Sequence, residues 1–469
     1  MTPRQLLLPV LLLCWLSAAW GEDSPPAAEA SSLWLPAAEI FGFDFALNRY
    51  NHRFSGTQDY DVSLSTIRRN LHSAWVVDND PFRMNQLGHP YQGAMYHGAG
   101  RATGHGYWTS AALTFAASAG WEIAGEATPP SRNDQVASGI AGSFLGEPLF
   151  RIARLAMKPG SSVPAGWREW VAGAIDPPVA LNHGLFGNRY DDLFDDHDPA
   201  YYGRLHIGFG SITTHPSDTL GSFKTRVAEL DLAIDYGLPG QPGYTYKRPF
   251  DYFNFQASLA SVGGIENLST HGLLLGTDFA AGDNYRGLWG LFGSYDYLAP
   301  QIFHVSTTAV SIGTVGQWWV GRHVALQGFG LAGIGYAAAS TTNDRQLTND
   351  TDYHYGMAPR AALSLRAIFD GRASLDLAAR EVSLGRIANR RAGSDDIARI
   401  ETAFTWRLAG QQAISVGYVR DWRHARYAPP TGDRRQVLGT WSIYYTLLSH
   451  QGFGAVEWRD SASGNASAE

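Results

Sequence analysis

Residues 360–380 read RAALSLRAIFDGRASLDLAAR, two alternating runs joined by a short turn. In the first run Leu363 and Leu365 alternate with Ser364 and Arg366, and the pattern resumes after the turn. A period of two residues is typical of a β-strand whose two faces meet different surroundings. Because one face is apolar and the other ionisable, the pattern favours strands that face lipid outward and a polar lumen inward.

The same alternation recurs from Tyr201 to about Leu448, notably at 226–236 and 399–408. A soluble β-sandwich also alternates, but its strands are mostly five or six residues long, whereas these segments span about twelve to sixteen. We count about twelve of them, as expected for an outer-membrane barrel with an even strand number. The sequence therefore predicts an all-β membrane protein, an antiparallel outer-membrane β-barrel of about twelve strands.

The connections between these segments support the barrel. From about residue 320 short connections (321–323, 370–372, 409–411) alternate with long ones (341–355, 389–396, 426–436). Outer-membrane barrels have short periplasmic turns and longer external loops, so both termini are expected in the periplasm. Two earlier connections fit less well. The connection 237–249 is long where a short periplasmic turn is expected, and 299–301 is short where an external loop is expected.

The first 21 residues have the features of a secretory signal peptide. Arg4 precedes an apolar run, and the small residues Ala19 and Gly21 follow it. A membrane anchor is the alternative, but the run is short and contains Pro9. Cys14 is the chain's one cysteine, so a mature chain beginning near Glu22 would lack a thiol nucleophile and cysteine ligands.

Composition excludes several classes of protein. The net charge of -7 argues against a nucleic-acid binder that works through a positive field. Aromatic residues make up 13% of the chain and glycine is abundant, which excludes a disordered chain or a coiled coil.

Helical spacing replaces the alternation between about residues 88 and 157. Stretches 90–103, 109–127 and 133–157 are separated by breakers at 104–106 and 129–130. Small or apolar residues cover almost every side of the middle stretch, so we expect helices that are surrounded, as a plug in the lumen or a periplasmic cap. Earlier in the chain, apolar alternation from Phe41 to Leu47 predicts a strand.

Ionisable pairs four residues apart lie on the predicted helices, and each pair shares one helix face. Because buried charges need partners, the sequence predicts one structural network that locks the helices together. Its members are His97, Arg101, Glu122, Glu126, Asp134, Glu147 and Arg151.

The candidate catalytic residues are His89, Glu122, Glu126 and Ser131. Ser131 with a histidine and a glutamate would suit a lipid hydrolase, but Ser131 also begins a capping box that ends at Asp134. Glu122 and Glu126 would suit an acid–base pair or, with His89 or His97, a divalent cation. Without cysteines or a close histidine pair, we expect no metal and no cofactor, and structural pairing is the favoured interpretation.

The run 79–151 resembles a bacterial outer-membrane family catalogued as a domain of unknown function (number 3943). The matching pieces include Asn79-Asp80-Pro81-Phe82, Gly88-His89-Pro90-Tyr91, Trp121-Glu122, Asn133-Asp134 and Gly146-Glu147 with Arg151. The family tends to have Glu then Ser where this chain has Thr109-Ser110, so a carboxylate role there is in doubt. The resemblance implies location and architecture and supplies no activity.

The predicted organisation is a signal peptide (1–21), a linker with a possible strand (22–70), the helical segment (71–158), a connector (159–200), the barrel (201–449) and a tail (450–469). We expect an outer-membrane envelope protein of a Gram-negative bacterium, structural or transport-related, with a helical plug. The alternative is an outer-membrane lipid hydrolase that uses the helical charge cluster. Expected partners are outer-membrane lipids and the outer-membrane assembly machinery, with no nucleic acid.

Overall fold

The computed structural model describes residues 31–78, 80–161, 163–190, 198–215, 223–340, 351, 353–385, 393–427 and 432–458. The predicted signal peptide with Cys14, residues 22–30 of the predicted linker and residues 459–469 of the tail lie outside these residues. The chain forms two compact units, Met1–Asp196 and His197–Glu469, which we call the helical unit and the barrel unit.

Eight α-helices are described in the helical unit, together with π-helical turns at Met84–Gly88 and Ala137–Ala141 and a 3-10 turn at Ala165–Trp167. The helices are α1 (Trp34–Phe54), α2 (Leu64–His72), α3 (His89–Ala102), α4 (Tyr107–Ala124), α5 (Arg132–Val136), α6 (Gly142–Met157), α7 (Arg168–Ile175) and α8 (Pro177–Phe186). The three predicted helical stretches correspond to α3, α4 and α5 with α6. No described helix has the length and apolar character needed to cross a membrane.

The strand predicted from Phe41 to Leu47 is wrong, because this segment lies within α1. Residues two apart are rotated by about 200° around the helix axis and point to nearly opposite sides, so apolar alternation cannot form one buried helix face. Phe41 and Phe45 are accordingly exposed, while α1 buries Ile40 and Asn48 instead.

Helices α3 and α6 cross at glycines. A Cβ atom at Gly93 would lie 1.9 Å from the carbonyl oxygen of Ser138, and one at Gly142 would lie 2.5 Å from the Cα of Gly93. Only residues without a side chain permit this approach of two backbones. The crossing explains the small-residue composition of the segment and places α3 directly against Glu147 on α6.

The barrel unit is a closed antiparallel sheet of twelve strands in which β1 pairs with β12. The predicted fold class is confirmed. The strands are β1 (Tyr201–His215), β2 (Phe223–Tyr236), β3 (Phe253–Ala260), β4 (Gly264–Ala281), β5 (Tyr285–Leu298), β6 (Val305–Trp319), β7 (Val324–Ser340), β8 (Tyr353–Phe369), β9 (Ala373–Leu384), β10 (Gly393–Ala409), β11 (Gln412–Tyr427) and β12 (Asp433–Leu448).

The period of two residues places apolar and ionisable side chains on opposite faces of the barrel wall. On β8, Leu365 is 48% exposed on the outer surface, whereas Arg360 and Arg366 point inward to ion pairs. On β10, Phe404 is 45% exposed outside, whereas Arg399 pairs with Asp421 inside. The face assignment predicted for these strands is therefore confirmed.

Two segments fill one end of the barrel, where β1 begins and β12 ends. After β12 the chain turns back, and Phe453 packs beside Tyr202 and Leu238 in an apolar cluster. Gln317 exchanges two hydrogen bonds with the backbone of Val456, at 2.6 and 2.9 Å. The long connection 237–252 lies at the same end, so the predicted irregularity in turn length is a real feature of this barrel.

Candidate functional site

Glu147 is the centre of the first polar cluster in the helical unit. Its carboxylate lies 2.9 Å from His97 Nε2, 2.8 Å from Arg101 Nε and 2.8 Å from Arg151 Nε. His97 and Arg101 come from α3, one turn apart, whereas Glu147 and Arg151 come from α6, also one turn apart. We call these four residues the Glu147 cluster, and it joins two helices through one shared anion.

The Glu147 cluster is electrostatically satisfied although it is buried. Burial alone would raise the pKa of the Glu147 carboxyl, but the guanidinium groups of Arg101 and Arg151 outweigh burial and hold this pKa well below its usual range. Burial lowers the pKa of His97, so His97 is a neutral partner of the carboxylate. Arg101 also lies over the Phe150 ring, 4.8 Å from its centroid, so the ring face contacts the guanidinium group.

The second cluster gathers carboxyl groups from the segment before α3, from α4 and the connection that follows it, and from α5. Glu122 accepts the Ser131 N–H at 2.8 Å, and Asp78 accepts a hydrogen bond from the Asn133 amide at 2.6 Å. Asp134 lies next to Asn133 and accepts from the same amide at 3.0 Å. We call Asp78, Glu122, Glu126 and Asp134 the acid cluster.

Glu126 and His89 lie at the edge of the acid cluster. Glu126 accepts hydrogen bonds from the Trp121 indole at 2.8 Å and from the Thr128 hydroxyl at 3.1 Å. His89 Nε2 lies 3.8 Å from a carboxylate oxygen of Asp134. These contacts, together with the Ser131 N–H bound to Glu122, bring all four candidate catalytic residues into one region.

The protonation states of this region follow from burial. Burial, reinforced by the neighbouring carboxylates, raises the pKa of Glu122 and of Asp134 well above the usual range. Burial also raises the pKa of Glu126, although His89 opposes the shift, and burial lowers the pKa of His89. Burial therefore favours the protonated form of Glu122, Glu126 and Asp134 and the uncharged form of His89.

The single network expected from the sequence is thus two clusters. Arg101 and Arg151 bind Glu147, whereas Glu122, Glu126 and Asp134 gather around Asp78 and His89. Spacing correctly placed His97 with Arg101 on α3 and Glu147 with Arg151 on α6, although Glu126 lies beyond the end of α4. Spacing alone does not show which helix faces meet. The glycine crossing of α3 and α6 determines this, because it turns Glu147 toward α3.

Ser131 is a helix cap, as the capping interpretation predicted. Its hydroxyl accepts the Asp134 N–H at 3.2 Å and donates to the Asn133 side chain at 2.9 Å. The Ser131 N–H goes to Glu122, so the preceding helix completes the cap. Since Ser131 is buried and both hydrogen-bonding roles of its hydroxyl are occupied, it is poorly suited to act as a nucleophile.

Sequence reasoning missed Ser138, which lies in the π-helical turn that follows α5. Its hydroxyl is 3.2 Å from His89 Nδ1, and His89 itself follows the other π-helical turn. Such turns are frequent at functional sites, and Ser138 follows Asp134 by four residues, which is the one sequence signal. Ser138, His89 and Asp134 are all buried, so this arrangement has no open face for a substrate.

No group of three or more metal-binding side chains with suitable geometry occurs among the described residues. The carboxyl groups of the acid cluster accept hydrogen bonds from backbone, amide, indole and hydroxyl donors instead.

The barrel lumen contains a third polar region that the sequence did not specify. Arg366 on β8 pairs with Asp376 on the next strand at 2.6 Å and with Asp235 on β2, on the far side of the barrel, at 3.0 Å. Arg380 reaches from β9 to Asp296 on β5 at 3.1 Å. These ion pairs cross the lumen, and a cavity of about 130 Å³ remains among them.

One family model matches the chain, under the description Domain of unknown function (DUF3943). Residues 74–178 match this family. The match confirms the resemblance carried by the helical unit and covers both the Glu147 cluster and the acid cluster. No curated protein matches the chain.

The chain also resembles solved barrel structures at low identity. An outer membrane channel from Pseudomonas putida F1 is 10% identical, with 54% of this chain and 96% of that chain covered and a TM-score of 0.28. The NanC porin is 9% identical, with 51% and 98% covered and a TM-score of 0.26. The Pseudomonas putida toluene transporter TodX is 9% identical, with 55% and 91% covered and a TM-score of 0.22. The fold of this chain therefore rests on its own strand pairing.

Proposed function

We propose that this protein is an integral β-barrel of the outer membrane of a Gram-negative bacterium. Its termini face the periplasm, and its barrel is a closed structural element of the envelope. The apolar outer surface of the barrel is the observation that carries the proposal. Large exposed side chains on that surface include Phe209, Ile312, Leu365, Phe404, Trp441 and Ile443.

An outer surface of this kind is unfavourable in water. Soluble monomers rarely expose contiguous apolar patches above a few hundred Å², and this surface recurs on strand after strand around a closed sheet. A closed sheet satisfies its backbone hydrogen bonds internally, which is the condition for crossing a bilayer with strands. Lipid is therefore the solvent that matches this surface.

The structural role follows from the contents of the lumen. Arg366 and Asp235 join opposite walls, and Arg423 is fully buried against Asp395 at 2.7 Å. At one end, the segment 453–458 packs inside the sheet. A barrel whose lumen is crossed by ion pairs and occupied at one end by a segment of the same chain has no open channel.

Transport is the second candidate, and the polar cavity favours it. The cavity is lined by ionisable side chains from many strands, among them His206, Glu229, Asp231 and Glu266. Passage of a small polar solute would require the cross-lumen pairs or the segment 453–458 to move aside. Hydrolysis at Ser131 is disfavoured because the hydroxyl caps α5. The role of the helical unit as a plug or a periplasmic cap stays a prediction.

Membrane separation and planar-bilayer recording test this proposal together. We expect the mature protein in the outer-membrane fraction, with a mobility on gels that changes on heating. We expect no stable open-channel current from the wild type, and measurable current from the paired variant Arg366→Ser with Asp235→Ser. A large current from the wild type would favour transport as the main role, and recovery in the soluble periplasm would refute the membrane location.

A further inference from the structure

Helix α1 carries an exposed aromatic stripe that its packing does not explain. Trp34, Phe41 and Phe45 are 81%, 72% and 61% exposed. Their spacings of seven and four residues place them within about 40° of one another around the helix. Isolated exposed apolar residues need no explanation, but three large aromatic side chains along one line of a helix do.

The charges of α1 are divided between two sides. Its two acids are turned toward the rest of the helical unit, where Glu39 accepts a hydrogen bond from Asn182 at 3.1 Å and Asp44 accepts one from Tyr96. Burial raises the pKa of both carboxyl groups, that of Asp44 to about 7. The exposed ionisable side chains of α1 are therefore Arg49, His52 and Arg53, all from its C-terminal half.

We propose that the aromatic stripe, with Arg49 and Arg53 at its end, docks on the surface of an anionic phospholipid bilayer. We call these five residues the docking surface. Aromatic rings with neighbouring arginines suit the headgroup boundary, where the rings contact acyl chains and the guanidinium groups contact phosphates. Arg49 already lies over the Phe45 ring, 6.0 Å from its centroid, so cation and ring form one surface.

The charge of the docking surface favours lipid over a second copy of this chain. A parallel two-fold dimer through this stripe would place each arginine beside the same arginine of the other copy, and like charges oppose such contact. An anionic bilayer has the opposite sign. Each Lys or Arg of a basic segment strengthens its binding to such a surface, in addition to the apolar contact.

The covalent chain supplies the proximity that docking needs. Residues 187–200 connect α8 to β1, and a segment of this length spans at most about 50 Å. This inference therefore rests on the proposed membrane location of the barrel. With the barrel inserted, the docking surface operates at a high local concentration of lipid, so modest affinity is sufficient.

Lipid-quenching fluorescence on the full chain tests the docking surface. Three single-cysteine variants of the mature chain, Phe41→Cys, Val77→Cys and Leu365→Cys, are labelled with bimane and reconstituted into phosphatidylethanolamine–phosphatidylglycerol vesicles containing doxyl lipid. Val77 is the matched control, an exposed apolar residue of the same unit that does not belong to α1. We expect quenching at Phe41 at least about twofold stronger than at Val77, and loss of that excess in Arg49→Glu with Arg53→Glu.

The three labels separate the possible failures. Quenching at Leu365 with none at Phe41 would overturn the docking surface and leave the barrel proposal intact. No quenching at Leu365 would overturn the barrel proposal itself. A label at Phe41 that is shielded from both lipid and aqueous quenchers would show that protein covers the stripe, and self-quenching that depends on protein density would identify a second copy; either result refutes lipid docking.

Discussion

Replacing Glu147 by Gln should lower the free energy of unfolding of the helical unit far more than removing an exposed charge does. Glu147 is the shared anion of three buried partners at 2.8 to 2.9 Å. Removing its charge leaves the Arg101 guanidinium buried without compensation, at a cost of roughly 3 to 5 kcal/mol. With an m-value of about 2 kcal/mol per molar urea, the unfolding midpoint should fall by about 2 M.

Pulse proteolysis in urea measures this midpoint in the full chain. The protease cleaves the helical unit where it is unfolded, so the full-length band on the gel becomes weaker. The matched control is Glu169→Gln, which removes an exposed carboxylate 3.4 Å from His183 and should cost under about 1 kcal/mol. Glu147→Gln combined with Arg101→Met should cost much less than the sum of the two single changes. Equal midpoints for Glu147→Gln and Glu169→Gln, or strict additivity in the double variant, would refute the Glu147 cluster as a structural lock.

Three further outcomes follow from the structure. Leu365→Arg and Phe404→Arg should each destabilise the barrel by about 2 to 4 kcal/mol near the bilayer midplane, while Ser364→Arg should be better tolerated, as read from folding gels. Burial raises the pKa of Asp176 to about 8 from its usual value near 4, so the folded state holds a proton that the unfolded state releases. The stability of the helical unit, measured as the urea midpoint, should therefore fall as the pH rises from about 4 to 8. Asp176→Asn should flatten this pH profile, and an unchanged slope would contradict the prediction. Arg423→Met should leave the buried Asp395 carboxylate without its guanidinium partner and lower the barrel's heat-denaturation temperature, and an unchanged temperature would show that this ion pair contributes nothing.

The barrel could be predicted because its pattern is local and repeated. In the stretch 360–380, the turn at 370–372 fixes the hairpin register, and Arg366 lies directly opposite Asp376 as a result. The second partner of Arg366, Asp235, lies on a strand across the lumen. That contact depends on strand number and barrel closure, which no local pattern contains.

The helical unit shows the same division between local and non-local information. The breakers at 104–106 and 129–130 located the helices, and the spacing from Ser131 to Asp134 located the cap. Alternating aromatic residues in α1 led to the wrong prediction of a strand, because the pattern shows which residues are apolar and not whether they are buried. The partners of Glu122 and of Glu147 depend on which glycine faces meet, so only the assembled helices separate the two clusters.

The most direct test of the membrane barrel is lipid quenching at consecutive positions along one strand. Bimane at Leu363, Ser364 and Leu365 of β8, each introduced as a single cysteine in the mature chain, is compared in doxyl-lipid vesicles. The account predicts strong quenching at Leu363 and Leu365 and weak quenching at Ser364. Equal quenching at all three positions, or stronger quenching at Ser364, would contradict an outer surface that faces lipid.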